Sequence, residues 1–379
     1  MKVRIRRHRV SAVMAPCPSA LAIALSAAAL TLGAVPAARA QRTPQEIAAR
    51  QRFVDSLFSV FAAPGVPGAS VVVVQDGRVV LRRAFGLARL EPRTAATPRS
   101  DYRLASLTKQ FTAMAVMILA EKHRLSFDDS VSRYLPSLPA CARGVTIRHL
   151  LNHTSGIWAY EDFVPDSQTY QVKDRDVLQL IGRADSLYFP PGSAYRYSNT
   201  GYALLALVVE RVSGVPFALF LKRHIFIPAG MRNTVAYQEG ISTVPHRAFG
   251  FTAEGAHFLP TDQSNTSAVL GDGGIYMSVD DLVRWHLALE RSQFVRPATQ
   301  RLAWTPATLT NGTATTYGFG WRLDRDTRGL RVWHDGETRG FTNGIVRYPD
   351  QRLMVAVLTN RTGGAPWDLA QRVADEYLK

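Results

Sequence analysis

The sequence predicts an α+β fold: one antiparallel sheet formed from N- and C-terminal strands, flanked by helices, with a mostly helical region inserted between the two groups. Three observations carry this reading. Strand-like runs stand at both ends of the chain, "ASVVVVQDGRVVLRRAFG" near the start and "YGFGWRL", "LRVWHDG", "NGIVRYP" and "RLMVAVLTN" near the end. Between them, roughly 110–315, lie helical and loop-like stretches broken by Pro190-Pro191-Gly192 and by the glycine cluster at 271–274. At 379 residues the chain is long enough to bury a large core, and with 46% hydrophobic and 20% charged residues it reads as globular, without a repeat period or a low-complexity block.

The elements follow in order. Residues 1–40 read as a secretory signal peptide: a basic leader (Lys2, Arg4, Arg6, Arg7, Arg9), an apolar run from about Ala20 to Val35, and Ala38-Arg39-Ala40 as a small-x-small cleavage site, with cleavage expected after Ala40. At about 16 residues the run is short for a membrane span, which needs ~20. The expectation is an exported protein, periplasmic or secreted, with no stable span after cleavage; the export route, by Sec or twin-arginine, stays open. Residues 41–379 then form a single domain, with an α/β part at about 44–110 and 315–379 and a helical and loop part at about 111–314. Residues 44–62 have helical spacing. "ASVVVVQDGRVVLRRAFG" reads as two strands joined at Asp76-Gly77, residues 106–122 as a strongly apolar helix, and about Trp367 to Leu378 as a closing helix.

Charge and cysteine content limit the partners. The formal net charge is +15, and loss of the six Lys and Arg of the leader lowers it to +9. Part of this excess sits in one stretch, where Arg78, Arg82, Arg83, Arg89, Arg93, Arg99 and Arg103 outnumber Asp76, Glu91 and Asp101. It reads either as a solvated arginine-rich face or as a means of staying near an anionic envelope polymer. No nucleic-acid-binding motif is present, so nucleic acid is not expected as a partner. Cys17 leaves with the leader, so Cys141 has no intramolecular partner and reads as a small apolar residue.

One segment carries chemistry. In "YRLASLTKQFTAMAVMILAEKHRLS", Ser106 and Lys109 stand three residues apart where the apolar helix begins. Ser106 alone is an ordinary helix cap. Residues three apart share a helix face, however, so the amine can reach the hydroxyl. Burial among apolar neighbours lowers a lysine's pKa toward a range in which it can act as a base. The helix N-terminus adds backbone N–H groups and positive potential where an oxyanion would form. Two further segments carry polar groups: Tyr197-Ser198-Asn199 on a loop bounded by Pro and Gly, and His334-Asp335-Gly336 on an expected strand, its glycine permitting close backbone approach.

In these motifs, their order and their spacing the chain resembles the serine β-lactamase and penicillin-binding-protein superfamily. The resemblance is to its class C-like branch of class C β-lactamases, D-alanyl-D-alanine carboxypeptidases, D-amino-acid peptidases and family VIII esterases. It covers about residues 50–378 and extends to "EKHRLSFDDSVSRYLPSLP", "IRHLLNHTSGI", "LGDGGIYMSVDDLVRWHLAL" and "GFTNGIVRYPDQRLMVAVLTN". The resemblance implies a β-lactamase/transpeptidase-like fold and a role for each motif residue. Ser106 would be the acylated nucleophile, Lys109 its activator, and Tyr197 a proton carrier at the serine and leaving group. Asn199 would hold the acyl side chain's amide. His334 replaces the lysine of the family's Lys-Thr-Gly motif, giving a His-x-Gly variant ending in Gly336. The backbone N–H groups of Ser106 and Glu337 would form the oxyanion hole. Asp335 and Glu337 stand where small or hydroxyl residues are frequent, at a position that usually helps to bind a substrate carboxylate, and so count against an anionic substrate.

The resulting expectation is a serine hydrolase that needs no metal or other cofactor. It acts through an acyl-enzyme on an ester, a D-amino-acid peptide or an amide, a small-molecule or peptide substrate of possible cell-wall origin, with slow β-lactam acylation allowed. The alternative is a catalytically silent sensor or scaffold that binds acyl-D-Ala-type ligands; Ser106, Lys109 and Tyr197, all retained, argue against it. Other polar residues have plainer readings. His153 on its turn fixes a loop, no histidine has a second ligand at metal spacing, and "GDGG" at 271–274 lacks the lysine of a phosphate loop. Asp272 within it either stabilises the turn or contacts substrate.

Overall fold

The computed structural model describes residues 43–165, 167–255 and 257–379. The expected leader, its cleavage after Ala40 and Cys17 lie outside these residues. Pro44–Lys379 forms one compact unit.

The main sheet has six antiparallel strands. Helix α1 (Pro44–Leu57) precedes the hairpin of β1 (Ala69–Gln75) and β2 (Arg78–Phe85). Its turn is Asp76-Gly77, at φ 51° and 75°, the pair of left-handed conformations that a tight two-residue hairpin demands and that Asp-Gly supplies cheaply. The inserted region contributes α2 (Lys109–Glu121), α3 (Asp174–Ile181), α4 (Asn199–Ser213) and α5 (Val279–Glu290). The chain then returns to the sheet through β3 (Arg322–Asp326), β4 (Gly329–Thr338), β5 (Phe341–Tyr348) and β6 (Leu353–Thr359), and α6 (Pro366–Leu378) closes it. The strand order is β3-β4-β5-β6-β1-β2. The two ends of the chain join through β1 and β6, from Ala69 opposite Thr359 to Gln75 opposite Leu353. This is the antiparallel sheet from both termini that the sequence predicts.

Both faces of the sheet are covered, so β1 is buried along its whole length. Its alternating side chains divide between two cores, because successive residues of a strand point to opposite faces. Val72 and Val74 face the inserted region with Phe111, Ile345 and Ala356. Val71 and Val73 face α1 and α6 with Val355, Val357 and Leu369. In α2 every residue from Lys109 to Leu119 is buried, as befits a helix apolar on all sides.

Four expectations are corrected in detail. "YGFGWRL" is not a strand from its start: β3 begins at Arg322, and Tyr317–Trp321 bends over α2 instead. Its glycines serve close approach, since a side chain at Gly318 would strike the Ala303 carbonyl, and one at Gly320, at φ 78°, would lie 2.7 Å from the Lys109 carbonyl oxygen. The helix expected over 44–62 breaks after Leu57, and a separate turn of helix spans Ser59–Ala62. The inserted region is not only helix and loop. It contains a hairpin (Phe251–Glu254 with His257–Pro260) and two strands, Val235–Ala236 and Ile275–Met277, of a small sheet that Tyr102–Arg103 completes from outside the region, all three too short to show a period of two. Nor is the arginine stretch a single solvated face: Arg103 is 3% exposed and ties down the Ser267 and Gly273 carbonyls.

Candidate active site

The serine segment is held from three sides. A 3-10 turn, Ala105–Thr108, runs directly into α2, so Ser106 stands at a helix N-terminus and Lys109 opens the α-helix proper. Leu104 N–H donates to the Ile275 carbonyl at 2.8 Å, and Asn343 Nδ2 donates to the Arg103 carbonyl at 2.8 Å. On the third side Gly336 lets β4 touch the turn: a side chain there would strike the Leu104 carbonyl and lie 3.0 Å from Leu107 Cδ1. The segments carrying Ser106 and Glu337 are thereby brought against each other. Ala105, beside Ser106, has φ 51°, a left-handed conformation costing an alanine on the order of 1–3 kcal/mol that the surrounding contacts must hold in place.

Lys109 is fully buried, and its amine has three partners: Ser106 Oγ at 2.9 Å, Asn199 Oδ1 at 2.8 Å and the Asp272 carbonyl at 3.0 Å. Burial drives its pKa down to about 8, although the charges of Asp272, Glu161 and Asp335 pull the other way. The amine is therefore partly neutral near pH 7. An amide oxygen and a carbonyl can only accept. When the amine is neutral, its two N–H bonds go to these partners and its lone pair is left facing the Ser106 hydroxyl.

Tyr197 and Asn199 arrive on the segment leading into α4, where Ser198 Oγ caps the helix by accepting from Gly201 N–H at 3.3 Å. His153, at φ 60°, holds this segment by accepting the Ser198 N–H on Nδ1 at 3.1 Å, and its ring packs 4.3 Å from that of Tyr197. The Tyr197 ring lies 4.9 Å from Lys109 Nζ. Its hydroxyl is buried without a hydrogen bond of normal geometry. Burial raises its pKa well above the usual tyrosine value, with the nearby Ser106 hydroxyl opposing. Asn199 turns its oxygen to Lys109 and commits one N–H of Nδ2 to Glu161 Oε1 at 2.8 Å.

The structure thus gathers Ser106, Lys109, Tyr197 and Asn199 into one cluster. The third motif lies differently from a substrate-contacting one. His334 is fully buried, with Nε2 2.9 Å from the Tyr317 hydroxyl and Nδ1 2.6 Å from the Asp335 carbonyl. Burial lowers its pKa to about 3. It is a neutral wall behind Tyr197, not a cation offered to a substrate. Gly336 is buried against the serine turn, and the Glu337 side chain is exposed. Asp335 accepts from Arg322 Nε at 2.9 Å.

Several residues at the site escape a sequence reading. Asp174 is buried and accepts the Leu270 and Gly271 N–H groups at 2.9 Å each, which fixes the turn whose Asp272 carbonyl holds Lys109. The Asp272 carboxylate itself is turned toward the Tyr160 hydroxyl at 3.4 Å. Glu161 and Arg322 complete the list. Among the described residues no group of three His, Cys, Asp or Glu is placed to hold a metal ion, and no single helix is long and apolar enough to cross a membrane.

Comparison with known proteins places the chain as a whole. A family described as Beta-lactamase matches residues 54–379. A penicillin-binding protein of Bacillus subtilis is 33% identical over 364 residues, covering 87% of this chain and 80% of its own. A D-aminopeptidase of Brucella ovis is 30% identical over 309 residues; the match covers 79% of this chain but only 57% of that protein. Among solved structures, the octameric penicillin-binding protein homologue from Pyrococcus abyssi superposes with a TM-score of 0.77 at 27% identity, over 88% of this chain and 77% of that one.

Proposed function

This chain belongs to the beta-lactamase family, and from that premise we propose that it is an exported serine hydrolase working through an acyl-enzyme on Ser106. The single observation that carries the reading is the contact between Lys109 Nζ and Ser106 Oγ at 2.9 Å inside a fully buried setting.

In the proposed cycle the neutral Lys109 amine accepts the Ser106 proton as Oγ attacks the carbonyl carbon. Backbone N–H groups of Ser106 and Glu337 receive the developing oxyanion, at a helix N-terminus whose first N–H groups have no partner within the helix. Tyr197, protonated at neutral pH, gives its proton to the leaving group and recovers one from the water that hydrolyses the acyl-enzyme, while the Lys109 ammonium returns its proton to Ser106 Oγ as the acyl bond breaks. No metal or cofactor is invoked. The catalytic unit is the single domain of residues 41–379, released to the periplasm or exterior by cleavage after Ala40.

For the substrate, the neutral and buried His334 matters most. A family member specialised for β-lactams is expected to carry a cation there, so its absence favours an ester, a D-amino-acid peptide or an amide, of small-molecule or cell-wall origin. The D-aminopeptidase relative supports the amide and peptide arm of this proposal. The test is nitrophenolate release from a short-chain p-nitrophenyl ester by residues 41–379 beside its Ser106→Ala variant. Turnover by the first alone supports the reading, equal activity of both refutes the role of Ser106, and inactivity of both across esters, D-peptides and β-lactams favours a silent acyl-D-Ala-binding relative.

A further inference from the structure

Resting on the reading of the cleft as a serine hydrolase site, we infer that the Arg322–Asp335 ion pair is its specificity determinant. Asp335 pairs with the guanidinium that a substrate carboxylate would otherwise use, so the native cleft selects neutral leaving groups, and loss of the Asp335 charge converts it into one that accepts anionic leaving groups.

The topology sets the place. Arg322 is the first residue of β3 and stands opposite Trp333. Beyond that pair β3 no longer covers β4, so residues 334–338 present an outer edge with no paired strand among the described residues. Arg322 closes the corner of this edge. Its guanidinium lies 5.4 Å from the Trp333 ring centre and 5.2 Å from that of Tyr197, the residue placed at the leaving group.

The charges set the ligand. Two cations lie against the Tyr197 ring. Lys109 is fully buried with its amine committed to three acceptors, whereas Arg322 is 30% exposed. His334 is neutral behind them. Arg322 is therefore the cation a leaving-group carboxylate can reach, and guanidinium is the side chain best shaped to receive one. The charge is already paired: Arg322 Nε donates to Asp335 Oδ1 at 2.9 Å, with the Asp335 side chain 46% exposed. Glu337, two residues on along the same face of β4, adds a second and exposed negative charge. An incoming carboxylate must compete with Asp335 for the guanidinium charge and face both acids. A neutral leaving group meets neither obstacle.

The experiment compares two leaving groups of nearly one shape, the acetyl ester of 3-hydroxybenzoic acid and that of methyl 3-hydroxybenzoate, through the ratio of their kcat/KM values. The expected result is a wild type that favours the methyl compound and a ratio of acid to methyl ester that rises at least tenfold in Asp335→Asn, mainly through the KM of the acid. The gain should disappear in the double variant Asp335→Asn/Arg322→Gln and shrink as salt is raised, because both groups are partly exposed and screened. Inhibition by free 3-hydroxybenzoate should tighten in parallel. Asp335→Ser, which keeps less of the hydrogen bond, guards against a variant that fails to fold. An unchanged ratio in folded Asp335→Asn and Asp335→Ser, or a rise that persists without Arg322, overturns the inference while leaving the hydrolase reading intact. Absence of Ser106-dependent turnover of either ester by the wild type instead removes the hydrolase reading and this inference with it.

Discussion

Lys109 donates to the backbone carbonyl of Asp272 at 3.0 Å, while the carboxyl group of the same aspartate turns aside to the Tyr160 hydroxyl. The turn thus supplies a fixed acceptor for the Lys109 amine and, through its side chain, a nearby negative charge that favours the ammonium form.

The first prediction is a pH profile. Burial holds the Lys109 pKa at about 8, and the proposed cycle starts from the neutral amine, so kcat/KM for a neutral ester should rise with pH to a plateau above that value. Removing the Asp272 charge in Asp272→Asn withdraws an interaction that raises the lysine's pKa, so the rising limb should move to lower pH. A limb that stays in place or moves upward would show that another group controls it.

Lys109→Met should lower kcat by about 10²–10⁴-fold, the usual range for loss of a general base, and it leaves the Asn199 Oδ1 and Asp272 carbonyl acceptors without their donor, a cost of about 1–3 kcal/mol each that two gains offset in part. Methionine fills similar volume, and the change removes a cation whose burial is itself costly. Ester kinetics and a denaturant melt measured together separate the two effects.

Tyr197→Phe deletes a hydroxyl that is buried but makes no normal hydrogen bond. Its removal should therefore leave folding nearly untouched while lowering kcat by ~10²-fold or more if it serves the leaving group. The loss should be smallest for nitrophenolate, which departs without protonation, and largest for alkyl esters or amides. Equal losses across these leaving groups would contradict the assignment.

Gly336→Ala introduces a methyl group against the Leu104 carbonyl and 3.0 Å from Leu107 Cδ1. Backbone cannot yield as a flexible side chain does, so destabilisation of about 1–3 kcal/mol is expected. Activity should fall beyond what that loss explains, because the displaced turn carries Ser106. Asp174→Ala, which strands two buried backbone N–H groups, should also destabilise by about 1–3 kcal/mol per orphaned group. Equilibrium denaturation checks both.

What the sequence makes legible here is what is local. Asp76-Gly77 announces a hairpin because two left-handed residues are needed there, and Ser106 and Lys109 announce a shared face because three residues make nearly one helical turn. The Tyr197 and Asn199 motif is readable only through the family resemblance, since neither residue lies near Ser106 in sequence. Glu161, Asp174 and Arg322 carry no local signal at all; each acquires its role from a contact made by the completed fold. "YGFGWRL" misleads for a related reason, its aromatic alternation resembling a strand while its glycines answer to Ala303 and Lys109, residues distant in sequence. His334 shows the limit of reading charge from residue type, because burial, not identity, sets its protonation.

The central claim is that Ser106 carries the acyl group. Residues 41–379 should be mixed with a slowly hydrolysed p-nitrophenyl ester, quenched in acid during the pre-steady-state burst, digested and sequenced by mass spectrometry. One acyl adduct is expected, on Ser106, absent from Ser106→Ala and accumulating in step with nitrophenolate release. Turnover with no adduct, or with an adduct on another residue that persists in Ser106→Ala, would contradict it.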